Sequence, residues 1–112
     1  MAFDSSLVVD NGIAKITLTG ELDAAAAPAF RADIEKAASQ NVKRLVLMVK
    51  DLGYMASAGL RALVFAKQKM GTQVDIYVIG AQPSIIETLE LTGFANSVIA
   101  LESYDAAVVE AV

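Results

Sequence analysis

Cysteine, histidine and tryptophan are absent from this chain of 112 residues, and proline occurs only twice. Without His or Cys it cannot assemble a Ser-His-Asp triad, a thiol nucleophile or a Cys/His zinc site, so most small-enzyme designs are excluded and no catalytic residue, metal or cofactor is expected. Basic residues are also scarce. Nine Lys and Arg stand against thirteen Asp and Glu, a net charge of −4 without the basic patch that nucleic-acid binding requires. No apolar run reaches the ~18 residues of a membrane helix, so a soluble protein with no direct membrane insertion is expected. The start, "MAFDSSLVVDNG", has neither the basic nor the apolar region of a secretory signal. Together with the missing cysteines, this sets the expected location as cytoplasmic.

What is present suits a packed globule: 55% of residues are hydrophobic and 20% charged. One domain over residues 1–112 is the simplest reading, because the length suffices for one two-layer core. Leu7-Val8-Val9, the pair Asn11-Gly12 and "IAKITLTG" predict a hairpin, since Asn and Gly both tolerate the positive φ of a type I′ turn. Gly20-Glu21-Leu22-Asp23 reads as a break. A helix over 24–40 follows, with Pro28 in its first turn and Phe30, Ile34, Ala37 and Ala38 facing inward. "RLVLMVK" at 44–50 has the unbroken apolar character of a central strand buried on both faces.

Asp51-Leu52-Gly53 is loop-like. Ser57 to Met70 then reads as a helix with Leu60, Leu63 and Val64 toward the core and Gly71 as its stop. A strand is predicted over 74–80, and a helix opened by Pro83, closed by Gly93, with Ile85 and Leu89 inward. A short edge strand at 97–100 and a terminal helix capped by Ser103 complete the order. The alternation predicts an α/β fold with parallel strands joined by right-handed crossovers.

Two positions have both a structural and a functional reading. Ser57 before a helix suits an N-cap, worth about 1 kcal/mol over alanine. Its small neighbours Ala56 and Ala58 would instead leave the hydroxyl uncovered, and Gly59 would let another backbone approach closely. A helix start also tolerates an added phosphate, whose charge its free N–H groups and dipole favour by ~0.3–1 kcal/mol when exposed. Arg61, one turn on, offers a charge-assisted contact to such a group. Asp23 is a helix cap or a loop carboxylate beside Ser57. Phe65 and Ile86 are expected to be partly exposed, and Lys67-Gln68-Lys69 to form a solvated last turn.

"LTGELD" (18–23), "LVLMVKDLGYMASAGLRAL" (45–63) and "QPSIIETLELTGF" (82–94) resemble, in order and spacing, the STAS domain of bacterial anti-sigma factor antagonists. The resemblance implies one STAS-like domain, with a mixed sheet of four or five strands and helices mainly on one face. It implies binding to an anti-sigma factor serine kinase that frees a sigma factor, phosphorylation of Ser57 that ends binding, and a serine phosphatase that restores it. On that basis the partner-binding residues are Glu21, Asp23, Ala56, Ser57, Ala58, Gly59 and Arg61. Three positions depart from the family: Ala56 replaces its usual acidic residue, Ala58 its second hydroxyl residue, and Arg61 a residue that is often small. An alternative is a constitutive STAS adaptor subunit of a transporter accessory or stress-signalling complex, without a phosphoswitch. A receiver-like phospho-acceptor at Asp51 lacks the acidic pair and the partner lysine that its chemistry needs.

Overall fold

The computed structural model describes residues 2–110. The chain reverses at Asn11-Gly12, between β1 (Asp4–Asp10) and β2 (Ile13–Leu22), with φ of 53° and 79° at the two turn residues. β3 (Arg44–Met48), β4 (Leu52–Met55), β5 (Asp75–Ile79) and β6 (Ile99–Leu101) alternate with helices α1 (Ala27–Ala38), α2 (Ser57–Met70) and α3 (Pro83–Leu91), and α4 (Ala106–Val109) comes last. The sheet order is β1-β2-β3-β5-β6, with β1 antiparallel to β2 and every other pairing parallel. β2 is long enough to serve two partners, β3 along Ile13 to Thr17 and then β4 along Gly20 to Leu22.

Alternation along the strands divides the interior in two. Ile16, Leu18, Leu45, Leu47, Ile76 and Val78 meet Phe30 and Ile34 of α1 and Leu63 of α2, all within a few per cent of full burial. On the opposite face Ile13, Val46, Tyr77 and Ile79 are covered by Val109 and Tyr104. β3 is therefore enclosed on both sides, which is why its sequence does not alternate. Lys15 Nζ lies 4.1 Å from the centre of the Tyr104 ring, whose hydroxyl donates to Glu110. Burial and the Glu110 carboxylate push the Tyr104 phenol up to about 12.

Several expectations need correction. Among the described residues the sheet has six strands, where four or five were expected. Gly20 to Leu22 is no break, because β2 continues through it with an irregular register at Gly20/Glu21. Gly20 carries this irregularity at a φ of +85°, and a Cβ there would lie 2.3 Å from the Ala2 carbonyl oxygen, so no other residue fits without moving backbone. Leu52 to Met55, read in part as loop, forms β4. α1 begins at Ala27, after a turn, rather than at Ala24. Val64 is 38% exposed rather than facing the core. The last helix is capped by Asp105, which accepts the Ala107 N–H at 3.0 Å, and not by Ser103. The edge strand lies at Ile99–Leu101, after a 3-10 turn over Phe94–Ser97.

Candidate functional site

Two chain segments meet where β2 and β4 end. Leu22 pairs with Met55, and the Leu22 carbonyl accepts the Ala56 N–H at 2.8 Å. The next residue of each strand is therefore the Asp23 loop on one side and the start of α2 on the other. Ala56 is the N-cap of α2 and Ser57 its first helical residue. An alanine cannot cap through its side chain, and no side-chain bond closes this helix start. Ser57 is exposed between the half-buried Ala56 and Ala58. The first intrahelical bond runs from the Leu60 N–H to the Ala56 carbonyl at 3.0 Å, so the N–H groups of Ser57, Ala58 and Gly59 precede the ladder.

Gly59 is buried, and it is side chains rather than a backbone that approach it. A Cβ there would meet Leu22 Cγ at 2.7 Å and Met55 Cγ at 3.1 Å. The glycine thus lets α2 sit directly on Leu22, which brings Ser57 beside the Asp23 loop. Arg61 is exposed one turn beyond Ser57. Phe65, a further turn along, is partly buried beneath the Arg31 guanidinium, 4.1 Å from its ring centre. Ile86 is half-buried on α3, and in the last turn of α2 Gln68 and Lys69 are exposed while Lys67 is half-buried.

Asp23 is exposed and also anchors the entry to α1. Its carboxylate accepts the Ala26 N–H at 2.9 Å, and its carbonyl accepts from Ala26 and Ala27. Asp23→Ala is expected to cost about 1 kcal/mol of stability, and Asp23→Asn much less because the acceptor is kept. Urea denaturation of the two variants separates the hydrogen bond from the charge.

Glu21 separates two open depressions. One is lined by Gly20, Asp51, Gly53 and Gln82, the other by Phe3, Asp23, Ala25, Ala26 and Ala29. Neither encloses a small molecule, so this end of the sheet offers a shallow docking surface rather than a ligand pocket. Sequence reasoning missed Tyr54 as part of it. Tyr54 is 49% exposed and stands opposite Glu21 in the β2/β4 register, on the same face. An aromatic directly before the serine turn is the signal that would have found it, since exposed tyrosines are enriched at interfaces. Among the described residues no group of three or more acidic side chains could hold a metal ion, and no helix is long and apolar enough to cross a membrane.

Residues 5–109 match the model of the STAS domain family. A Bordetella bronchiseptica protein named as a candidate anti-sigma factor antagonist, BtrV, is 30% identical over 98 residues, 87% of this chain and 84% of that one. The crystal structure of an anti-sigma factor antagonist from Mycobacterium paratuberculosis superposes with a TM-score of 0.84 at 22% identity, covering 95% of this chain and 91% of the other. The anti-sigma factor antagonist SpoIIAA in its unphosphorylated form gives 0.74 at 19% identity, covering 97% and 96%. Its phosphorylated Bacillus form gives 0.67 at 21%, covering 89% and 91%. The three structures share the fold, and the family match spans nearly every element described above. By that match, and with anti-sigma factor antagonists as its relatives, this chain belongs to the STAS domain family.

Proposed function

We propose that the protein is an anti-sigma factor antagonist that docks the entrance of α2 on an anti-sigma factor serine kinase and so frees a sigma factor. Phosphorylation of Ser57 ends this binding, and a serine phosphatase reverses it. In the phosphorylation step the Ser57 Oγ attacks the γ-phosphorus of ATP, the bond to ADP breaks, and the hydroxyl proton passes to a base of the kinase. The protein is the substrate in this scheme and brings no catalytic group of its own.

The observation that carries this reading is the exposed Ser57 at the first position of a helix with no side-chain cap, directly beside the Asp23 loop. A hydroxyl so placed is free to reach into another protein's active site. Glu21, Asp23, Ala56, Ser57, Ala58 and Arg61 form the contact surface, and Gly59 sets its shape from beneath. Existence of the relative SpoIIAA in a phosphorylated form supports the same chemistry.

The test is incubation with the cognate anti-sigma factor and Mg-ATP, read by intact mass. One phosphoryl group is expected on wild type and none on Ser57→Ala. Addition to both proteins would place the modification elsewhere. The absence of the family's acidic residue at the Ala56 cap favours one other reading, the constitutive adaptor. Pull-down from the native cytoplasm separates the two, since recovery of a membrane-transport component in place of an anti-sigma factor kinase would favour the adaptor.

A further inference from the structure

We infer that the groove between α3 and the free edge of β6 docks an extended basic segment of a partner protein. The groove is open along its length, with a volume of about 510 Å³, and its floor is apolar, with Ile86 on one wall and Ala100 on the other. Glu87, Glu90 and Glu102 line its rim, and no Lys or Arg does among the described residues. All three carboxylates are exposed, and none belongs to an ion pair among those residues. A row of uncompensated negative charge around an apolar floor selects a chain that alternates basic and apolar side chains.

The backbone beside the groove points to the same occupant. Among the described residues β6 is the last strand of the sheet, paired only with β5. Leu101 directs its carbonyl inward to the Gly80 N–H at 2.8 Å. By strand alternation Ala100 turns its N–H and C=O to the open edge, and it is exposed there. An incoming strand would pair with Ala100, set one apolar side chain between Ile86 and Ala100, and hold its cations against the three glutamates. A second copy of this chain suits the groove poorly, because at a net charge of −4 the two copies repel.

The probe is a short acetylated peptide alternating Arg and Val, titrated into the ¹⁵N-labelled full chain. Amide shifts are expected at Ile86, Ala100, Leu101 and Glu102, with binding about tenfold weaker in the combined Glu87→Gln, Glu90→Gln, Glu102→Gln variant, as three exposed ion pairs would give. A peptide of equal charge with a central proline should also lose affinity, since it lacks the N–H that an added strand donates. The variant changes exposed side chains only, and its spectrum reports directly that it is folded. No shifts at millimolar peptide, shifts centred on Glu21 and Asp23, or equal binding of the proline peptide would each overturn the inference. Concentration-dependent shifts at Ala100 without peptide would assign the groove to a second copy and overturn it as well.

Discussion

Replacing Ser57 by aspartate is expected to weaken binding to the anti-sigma factor at least ~10-fold while leaving the fold as stable as wild type or slightly more so. An uncompensated charge brought into a close-packed contact costs on the order of 3–5 kcal/mol. A carboxylate carries about half to two-thirds of the charge of phosphoserine, so ~1.5 kcal/mol, about tenfold in Kd, is a floor for the mimic. Inside the monomer the balance runs the other way. Position 57 is exposed, and a negative charge at a helix start gains ~0.3–1 kcal/mol from the dipole. The melting temperature should therefore hold or rise by up to ~5 °C. Calorimetric titration and thermal denaturation of the same sample separate the two effects, with Ser57→Ala as the variant that retains binding. Unchanged affinity in Ser57→Asp, or loss of affinity together with a collapse in melting temperature, would remove the switch.

That prediction depends on where Ser57 sits relative to the helix start, which the residues alone left open. A serine before an apolar helical run is compatible with both the N-cap and the first helical turn. The structure assigns the cap to Ala56, because the Ala56 N–H is held by the Leu22 carbonyl and the Leu60 N–H returns to the Ala56 carbonyl. Neither bond leaves a mark in residue type. For Asp23 the cap reading corresponds to a bond that is present, to Ala26, and an exposed carboxylate can hold that bond and still face a partner. Tyr54 escaped notice because the strand that presents it is itself hard to see in the sequence.

The legible parts of the fold are those whose local chemistry and packing agree. Asn11-Gly12 dictates the hairpin, the unbroken run at β3 reflects two covered faces, and α2 runs from Ser57 to Met70 between the extended Ala56 and Gly71. The missed parts are those in which tertiary contacts override local pattern. Leu52 to Met55 is buried only at its two ends, so it lacks the period of two by which a strand is recognised. β2 runs through Gly20, a residue that normally interrupts strands, because the backbone of Ala2 and Phe3 lies against it and the register slips there to reach β4. Val64 fits an inward helical position by spacing. It is exposed because Gly59, Ala62, Leu63 and Ala66 form the buried stripe, and a stripe of mostly small residues carries little hydrophobic signal. The α3/β6 groove was illegible for a related reason: its glutamates belong to separate segments, and only the return of β6 to the sheet edge brings Glu102 opposite Glu87 and Glu90.

Leu22→Ala is expected to be the most damaging single change near the site, and Gly59→Ala should partly rescue it although it is harmful alone. Leu22 is fully buried, so truncating it leaves a cavity and costs ~2–5 kcal/mol. In the wild-type background a methyl at position 59 would stand 2.7 Å from Leu22 Cγ and 2.8 Å from Cδ2, well inside contact distance. Overpacking of that kind costs ~1–3 kcal/mol, against which leaving glycine in a helix returns ~0.5–1. With Leu22 truncated both close atoms are gone, and the nearest remaining neighbour is Met55 Cγ at 3.1 Å. The same methyl then fills space and keeps its helix advantage, so its effect changes sign and becomes stabilising by ~1 kcal/mol. A double-mutant cycle from urea unfolding of the four proteins should give a coupling of ~1–3 kcal/mol. Additive losses would mean that α2 does not rest on Leu22, and that the Asp23 loop and Ser57 are held together only by the bond from the Ala56 N–H to the Leu22 carbonyl.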